Sequence, residues 1–196
     1  MARGRPRAFD IDQALDSALQ VFWQKGYEGA TLPDLTAAMG INRPSLYAAF
    51  GNKEALFRKV IDRYMEGPAA YVRAALNVAT ARAVAQRLLD GAVELLTDPQ
   101  HPGGCLMVQG ALACGEDADC IRKELASHRL AAEMVVRERF ERAHTEGDLP
   151  ANAVPADLAR YIVTVVRGMA VQAAGGSNRD ELQSVARVAM RAWPTD

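Results

Sequence analysis

The side chains whose types and spacing suggest the most specific chemistry lie between residues 42 and 48. Arg43 carries a guanidinium, which can form a bidentate pair with the edge of a guanine and so contributes about 1–3 kcal/mol of discrimination between bases. Asn42 and Ser45 offer further hydrogen-bonding groups, and Ala48 offers a methyl group that can contact the methyl group of thymine. These residue types at this spacing suit the reading of base edges in the major groove of duplex DNA.

Groups on both sides of this stretch could hold the DNA backbone. Thr31 and the pair Asn52-Lys53 stand at predicted helix starts, where unpaired N–H groups and the helix dipole favour an anion such as phosphate. Lys53 adds a full positive charge. We therefore expect phosphate contacts at both positions, which would fix the orientation of the protein on the duplex without reading its sequence.

Four helix starts position these groups. Asp10, Thr31, Asn42 and Asn52 each carry a side-chain oxygen that can accept a hydrogen bond from the free amides of a first turn. Asp34 stands three residues after Thr31, which is the spacing of a capping box. The pattern predicts helices that begin directly after these four residues.

Residues 31–50 read TLPDLTAAMGINRPSLYAAF and place two short helices around the turn Met39-Gly40-Ile41. Each helix has a proline in its first turn, Pro33 or Pro44, where the missing N–H is harmless. This is the pattern of a helix-turn-helix, whose second helix enters the major groove. The residues predicted to pack the two helices on each other and on the first helix are Leu35, Ala38, Ile41, Leu46 and Phe50.

The segment GYEGATLPDLTAAMGINRPSLYAAFGNKEALF resembles the N-terminal domain of the TetR family of bacterial repressors, and the resemblance covers about residues 8–60. It implies a homodimer on a pseudo-palindromic operator, with a larger C-terminal domain that binds a small-molecule effector. It also implies that Tyr47 contacts the DNA backbone. Many relatives carry larger residues where this chain has Ala48 and Ala49, so base recognition here is expected to lean on methyl contacts and DNA shape.

The N-terminal sequence Arg3-Gly4-Arg5-Pro6 has two interpretations. It is similar to arginine hooks that insert into a narrow, A/T-rich minor groove. Alternatively, it is a solvated basic tail that adds nonspecific affinity by counterion release, and a nonspecific architectural DNA protein would use it in this way. The full predicted DNA-binding set is Arg3, Arg5, Thr31, Asn42, Arg43, Pro44, Ser45, Tyr47, Ala48, Asn52 and Lys53.

Helical periodicity continues along the rest of the chain, and no stretch shows a convincing strand pattern. The sequence predicts an all-α protein of about nine helices. Gly67-Pro68 interrupts the fourth helix, so we predict a DNA-binding domain at residues 1–66 and an effector-binding and dimerisation domain at residues 67–196. The helices predicted in the second domain cover residues 69–79, 81–97, 104–114, 117–146, 155–174 and 179–193.

Two sets of apolar residues in the second domain suggest functions there. Residues that could line an effector cavity, or could simply form core, are Met65, Tyr71, Cys105, Met107, Met134 and Met169. The last two helices carry broad apolar faces, which the TetR resemblance assigns to a four-helix dimer interface and which could otherwise pack only within the monomer. The predicted interface residues are Leu158, Ile162, Val165, Val166, Met169, Leu182, Val185, Val188, Ala189 and Trp193.

Composition and motifs exclude several other classes. The sequence contains no nucleophile motif, phosphate loop or metal-ligand spacing, so we predict neither an enzyme nor a cofactor or metal site. Cys105, Cys114 and Cys120 make an odd count with no framework spacing, which predicts reduced thiols, although a thiol sensor that uses Cys114 and Cys120 is a rival interpretation. No apolar run is long enough to span a membrane, so we expect a cytoplasmic protein.

Overall fold

In a computed structural model of the chain, the structure describes residues 9–110 and 118–194. Within those two ranges the regular elements are ten α-helices and one short 3-10 turn, and no strand is present. The predicted all-α class is confirmed. No helix of the described residues combines the length and the apolar character that are needed to cross a bilayer.

The first helix, α1 (Ile11–Gly29), begins at the predicted cap. The Asp10 carboxylate accepts hydrogen bonds from the backbone N–H groups of Asp12 at 2.8 Å and Gln13 at 3.1 Å. Regular helical geometry is interrupted at Gly26, whose φ of 69° lies in the left-handed region that favours glycine. The chain then turns and enters the second helix at Thr31.

Helices α2 (Leu32–Met39), α3 (Arg43–Phe50) and α4 (Lys53–Glu66) follow within a few residues of one another. Their predicted caps are confirmed: the backbone N–H groups of Asp34, Ser45 and Ala55 donate to the side-chain oxygens of Thr31, Asn42 and Asn52 at 3.2, 2.9 and 2.7 Å. Gly40 ends α2 with a φ of 64°. The tight turn that separates α2 from α3 is therefore the one that the sequence predicts.

Most of the predicted packing of the helix-turn-helix is present. Leu35, Leu46 and Phe50 are buried against α1 and α4, but Ala38 is exposed, so its predicted core position is wrong. Met39 is buried instead. The reason is geometric, because Met39 lies four residues after Leu35 and thus on the same side of α2.

The predicted helix at 69–79 is shorter and is divided in two. A 3-10 turn at Pro68–Ala70 leads into α5 (Tyr71–Ala75). The remaining helices are α6 (Ala81–Leu96), the short α7 (Leu106–Gln109), α8 (Asp119–Thr145), α9 (Pro155–Ala174) and α10 (Arg179–Arg191). Helix α6 packs against α9 and α10, and α8 lies along α9.

Two apolar clusters form the interior. One lies between the four helices α1, α2, α3 and α4. It also includes four residues that follow the predicted domain boundary in the sequence: Leu106, Met107, Ile121 and Leu125. The other fills the space between α6, α8, α9 and α10, where Phe140 meets Trp193 edge to face. The first cluster thus crosses from the N-terminal helices to α7 and α8, and residue 66 as the domain boundary stays a prediction.

Candidate nucleic-acid interface and ligand cavity

The outer face of α3 carries the predicted base-reading residues. Arg43 is exposed, and 46% of the Tyr47 surface is exposed. Asn42, Pro44 and Ala48 are also exposed, and Ser45 is half-buried. The opposite face of α3 contributes Leu46 and Phe50 to the core. The orientation of the helix is therefore the predicted one, and contact with DNA stays a prediction.

Packing and capping hold α3 in place. The helix has eight residues, and an isolated helix of that length is marginal in water because nucleation costs more than so few hydrogen bonds return. Leu46 is fully buried, Phe50 is 4% exposed, and the Asn42 cap satisfies the Ser45 amide. Its outward side chains are thus displayed from a helix that packs against α2 and α4.

Lys53 begins α4, next to the Asn52 cap. Its ammonium lies 4.6 Å from the centroid of the Tyr27 ring, which is a cation–π distance. Tyr27 in turn packs edge to face on Phe57, at 5.1 Å between ring centroids. Lys53 is itself the first residue of α4, so its charge and the helix dipole lie at the same end of the helix. The phosphate contact expected there stays a prediction.

The N-terminus of α2 is occupied differently. The Thr31 hydroxyl donates to the Asp34 carboxylate at 2.7 Å, and the Thr31 backbone N–H donates to it at 3.0 Å. Lys25 forms an ion pair with the same carboxylate at 2.7 Å, and these partners, Lys25 first, lower the pKa of Asp34 to about 2. Because a carboxylate engages both donors of Thr31, a phosphate would compete with Asp34 for them, and the predicted phosphate contact at Thr31 stays a prediction. Arg3 and Arg5 lie outside the described residues.

An apolar cavity of about 120 Å³ lies behind the N-terminal helices. Met65, Tyr71, Cys105 and Met107 line it, as the sequence predicts. Met134 does not, because it projects from α8 and is 58% exposed; Met169 does not either, because it is buried in the α6–α10 core. The other lining residues are Tyr64, Ala69, Val72, Leu88, Leu95, Leu96, Val108, His128, Arg129, Ala132, Val136, Ile162, Val163, Val166, Arg167 and Ala170.

Two phenol hydroxyls, of Tyr64 and Tyr71, and the thiol of Cys105 are polar groups in the cavity wall. The Tyr64 hydroxyl donates a hydrogen bond to the Cys105 sulfur at 3.2 Å. Burial, together with the nearby Cys105, raises the pKa of Tyr64 well above its usual value and also raises the pKa of Tyr71. Both phenols are therefore protonated donors at neutral pH.

Two arginines at the cavity rim escaped the sequence analysis. Arg129 donates to the Met107 carbonyl at 2.7 Å, and Arg167 donates to the Arg129 carbonyl at 2.5 Å. Burial and the neighbouring Arg167 lower the pKa of Arg129. Both residues sit among many other charged residues of helical sequence, so no local pattern distinguishes them from a solvated face.

The loop and short helix at residues 104–110, here named the bridge segment, connect the cavity to the N-terminal helices. The Trp23 indole N–H donates to the Gly104 carbonyl at 3.0 Å, and the Tyr27 backbone N–H donates to the Gly110 carbonyl at 3.0 Å. Cys105 and Met107 of the same segment line the cavity. A displacement of the bridge segment by a ligand in the cavity would therefore also move its hydrogen-bond partners in the C-terminal half of α1.

The outer face of α9 and α10 presents exposed apolar residues. A groove there is lined by Tyr161, Val165, Val185 and Val188, of which Val188 is 59% exposed. Four predicted interface residues are instead buried in the monomer's own core and do not line the groove, so their prediction as contact residues is wrong: Ile162, Met169, Leu182 and Trp193. Ala189 is also buried but lines the groove, so its contact stays a prediction. Leu158 and Val166 are half-buried, and Val166 lines the cavity.

The cysteines are not paired in the described part of the chain. Cys105 is half-buried in the cavity wall and Cys120 is exposed on α8, while Cys114 lies outside the described residues. No group of three or more His, Cys, Asp or Glu side chains suited to a metal ion occurs among residues 9–110 and 118–194.

Comparisons with known proteins agree with this geometry. Residues 14–60 match the family described as bacterial regulatory proteins of the tetR family, and residues 82–189 match a tetracyclin repressor-like C-terminal domain. The HTH-type transcriptional repressors ComR and BdcR of Escherichia coli are 34% and 30% identical to the chain; each match covers 98% of this chain and 93% of the relative.

A solved structure adds a likeness in three dimensions. A cysteine mutant of the TetR family transcriptional regulator CifR, complexed with a 26-base-pair double-strand operator DNA, superposes with a TM-score of 0.94 at 42% identity. The match covers 97% of this chain and all of that one. The likeness therefore extends over both the α1–α4 region and the helices that enclose the cavity.

Proposed function

Because the chain belongs to the TetR family of bacterial regulatory proteins, we propose that it works as a homodimer on a pseudo-palindromic operator and leaves that operator when a small molecule fills the cavity. The chain is a DNA-binding transcriptional regulator of the repressor type and not an enzyme. The dimer, the symmetry of the operator, the effector and action in the cytoplasm are the proposed parts.

The observation that carries the proposal is the exposed face of α3. Arg43 and Tyr47 are exposed on a helix that packs against α2 and α4, and Lys53 stands at the next helix start. A guanidinium reads guanine, whereas a phenol and an ammonium suit phosphate. The face thus combines one specific contact with contacts that only position the helix.

The groove on α9 and α10 supports the dimer. Tyr161, Val185 and Val188 expose apolar surface on adjacent helices. Covering this surface with a second copy of the chain would remove it from water and so favour dimerisation. A two-fold axis through this face would pair each α9–α10 unit with its twin. Two recognition helices related in this way can occupy successive major grooves, about 34–36 Å apart.

The cavity supports control by a small molecule. Its volume of about 120 Å³ suits a ligand of about the size of a single ring. Such a ligand releases DNA only if it binds the non-binding conformation more tightly than the DNA-binding one. The bridge segment contacts both α1 and the cavity and is the element that we propose to differ between those conformations.

Selection of bound duplexes from a random pool tests DNA recognition. We expect one enriched sequence with two inverted half-sites. Arg43→Ala should relax the preference at particular base pairs, costing about 1–3 kcal/mol there. Arg87→Ala, which changes an exposed arginine of α6, should leave the selected sequence unchanged. If the wild-type protein enriches no sequence, specific regulation is wrong.

Sedimentation equilibrium tests the dimer. Val188→Glu places a charge in the α9–α10 groove and should give a folded monomer, because an unpaired charge in an apolar interface is costly. Val135→Glu is the matched control, since Val135 is an exposed valine of α8 outside the groove. A Val188→Glu protein that remains dimeric would place the interface elsewhere.

A further inference from the structure

A second concave site lies between α5, the loop that follows it, and α8. Its volume is about 300 Å³, and none of its lining residues belongs to the apolar cavity. Three arginines line it, Arg73 from α5 and Arg139 and Arg142 from α8, together with one acid, Glu138. We name this site the arginine groove. Its charged lining side chains carry a net charge of +2 at neutral pH.

Arg139 places a buried charge at this groove. Its side chain is 6% exposed, and its Nε and Nη2 donate to the carbonyls of Leu76, Val78 and Ala79 at 3.3, 3.0 and 2.9 Å. Its Nη1 is also buried but has no hydrogen-bond partner, and no carboxylate of residues 9–110 and 118–194 pairs with it. A buried guanidinium without a counter-ion and with a free donor is costly, so an anion in the groove would stabilise it.

The two other arginines of the groove also lack an acidic partner. Arg73 and Arg142 are exposed, and neither forms an ion pair in the part of the chain that the structure describes. Glu141, the acid next to Arg142 in the sequence, pairs instead with Arg137 at 2.6 Å. Arg139 and Arg142 are three residues apart on one helix, a spacing at which like charges repel each other. An anion held between these side chains would remove that repulsion.

We propose that the arginine groove binds a phosphate dianion, either as the free ion or as the phosphate group of a small phosphomonoester. A guanidinium presents its N–H groups in a planar fork that matches two oxygens of a phosphate. A phosphate group carries about −1.5 to −2 charges at pH 7, which balances the charge of the groove, whereas a monocarboxylate would balance only half of it. The site is separate from the cavity and goes beyond the proposed function.

The position of the groove gives the anion a structural effect. Phosphate held by Arg73 and Arg142 would tie α5 to α8, and these two helices also enclose the cavity through Tyr71 and Val136. The loop at residues 76–79 would be fixed at the same time, because its carbonyls already bind the third arginine of the groove. Binding of phosphate does not depend on the proposed function, whereas any influence of phosphate on an effector in the cavity would rest on it.

Isothermal titration of the full-length protein with sodium phosphate, at constant ionic strength in HEPES buffer, tests the site. We expect one phosphate per chain, and Arg73→Gln and Arg142→Gln should each weaken binding at least about tenfold, because each removes a charge-assisted donor. Both side chains are exposed, so both variants should melt close to the wild type in phosphate-free buffer. Arg87→Gln is the matched control, since it removes an exposed arginine of α6 outside the groove and should leave the affinity unchanged.

Glu138→Gln makes a prediction of opposite sign. It removes the one carboxylate that lines the groove and should tighten phosphate binding about threefold, because a like charge no longer opposes the anion. No saturable binding to the wild type, or an affinity unchanged in both Arg73→Gln and Arg142→Gln, would overturn the proposal. Weaker binding to Glu138→Gln would do the same.

Hydrogen exchange measured by mass spectrometry locates the bound anion and identifies its source. Saturating phosphate should slow exchange at residues 73–80, whereas protection confined to the first turns of α2 and α4 would place the anion on the predicted DNA-contacting surface and refute the groove. Tighter binding of glycerol 3-phosphate than of inorganic phosphate would identify a phosphomonoester as the ligand, and the reverse order would identify the free ion. Acetate should bind at least about tenfold more weakly than either, and equal binding of acetate would refute the phosphate class. Operator binding in phosphate-free buffer tests the proposed function separately, so either conclusion can fail alone.

Discussion

The α3 surface and the cavity are built in different ways. The α3 surface comes from one continuous stretch, residues 31–53, which is held by three side-chain caps and two glycines with positive φ, Gly40 and Gly51. The cavity wall comes from α4, α5, α6, α7, α8 and α9, which are far apart in the sequence. A convex polar site can thus be specified by local structure, whereas a concave apolar site depends on how a whole domain packs.

The bridge segment is where the two regions meet. It binds α1 through the Gly104 and Gly110 carbonyls and faces the cavity through Cys105 and Met107. Damage to the packing of α5–α10 should therefore affect stability and the effector response more than the intrinsic contacts of α3 with DNA. The following substitutions test that separation, beginning with the largest expected effect.

Arg139→Ala should have the largest effect, and on stability. Arg139 is 6% exposed and donates to the carbonyls of Leu76, Val78 and Ala79 at 3.3, 3.0 and 2.9 Å. Its loss leaves these acceptors without their donor and should cost about 3 kcal/mol, or about 10 °C in Tm. Differential scanning calorimetry measures the change.

Arg142→Ala is the matched control, because Arg142 is exposed on the same helix and its loss should change Tm little. Operator affinity of the Arg139→Ala protein, measured well below its Tm, should remain close to that of the wild type. A loss of affinity as large as the loss of stability would show that the α3 surface depends on the packing of α5–α8. The α3 surface would then not be specified by local structure alone.

Gly91→Ala should have an intermediate effect that is confined to the cavity side. The new methyl group would overlap the Tyr71 ring, and overpacking of this kind costs about 1–3 kcal/mol. Thermal unfolding should show the loss, and binding of cyclohexanone, a single-ring probe, should weaken because Tyr71 lines the cavity. The double variant Gly91→Ala/Tyr71→Leu should regain part of the stability; no recovery would mean that Tyr71 is not the group that is displaced.

The local construction of the α3 surface explains why the sequence predicts it well. A capping oxygen acts on amides two or three residues away, so Asn42 and Asn52 mark their helix starts without knowledge of the rest of the fold. Even here, the capping box adds a competitor at the predicted phosphate site, because Asp34 engages both donors of Thr31. The phosphate contact at Thr31 therefore stays a prediction.

The cavity was predicted only in part, because its wall depends on the rotation and packing of distant helices. Methionines were good candidates by residue type, yet Met65 and Met107 line the cavity whereas Met134 faces outward. The contact between Tyr64 and Cys105 joins residues 41 positions apart. Similarly, the apolar stripe on α10 does not show which of its sides packs into the core. The sequence therefore predicts Leu182 at the dimer face, whereas the structure buries it in the core.

Lys53→Ala tests the α3 side with a smaller expected effect. Removing this ammonium should weaken binding to all duplexes by about 1 kcal/mol and lower the salt dependence of log K by about 1 per protomer. Anisotropy titrations at several salt concentrations measure both quantities. Lys123→Ala, on α8, should change neither, since Lys123 pairs with Asp119 far from α3 in the sequence. A loss that depends on the duplex sequence would make Lys53 a reader of bases.

The smallest expected effect is a pH dependence at the α2 capping box. Ion pairing with Lys25, followed by hydrogen bonds from Thr31, lowers the folded-state pKa of Asp34 to about 2, below an unfolded value of about 3.9. The stabilisation is therefore fully present above pH of about 4 and is lost as the pH falls toward about 2. Tm measured across this window should fall more for the wild type than for Asp34→Asn.

Lys25→Met sharpens the same measurement, because it removes the largest cause of the lowered pKa. The Asp34-dependent part of the acid-induced fall in Tm should then begin at a higher pH than in the wild type. Operator binding at neutral pH should persist in this variant if α3 is held mainly by Leu46, Phe50 and the Asn42 cap. Loss of binding together with loss of the ion pair would instead make α2 capping a condition for the presentation of α3, and the local surface would then depend on α1 as well.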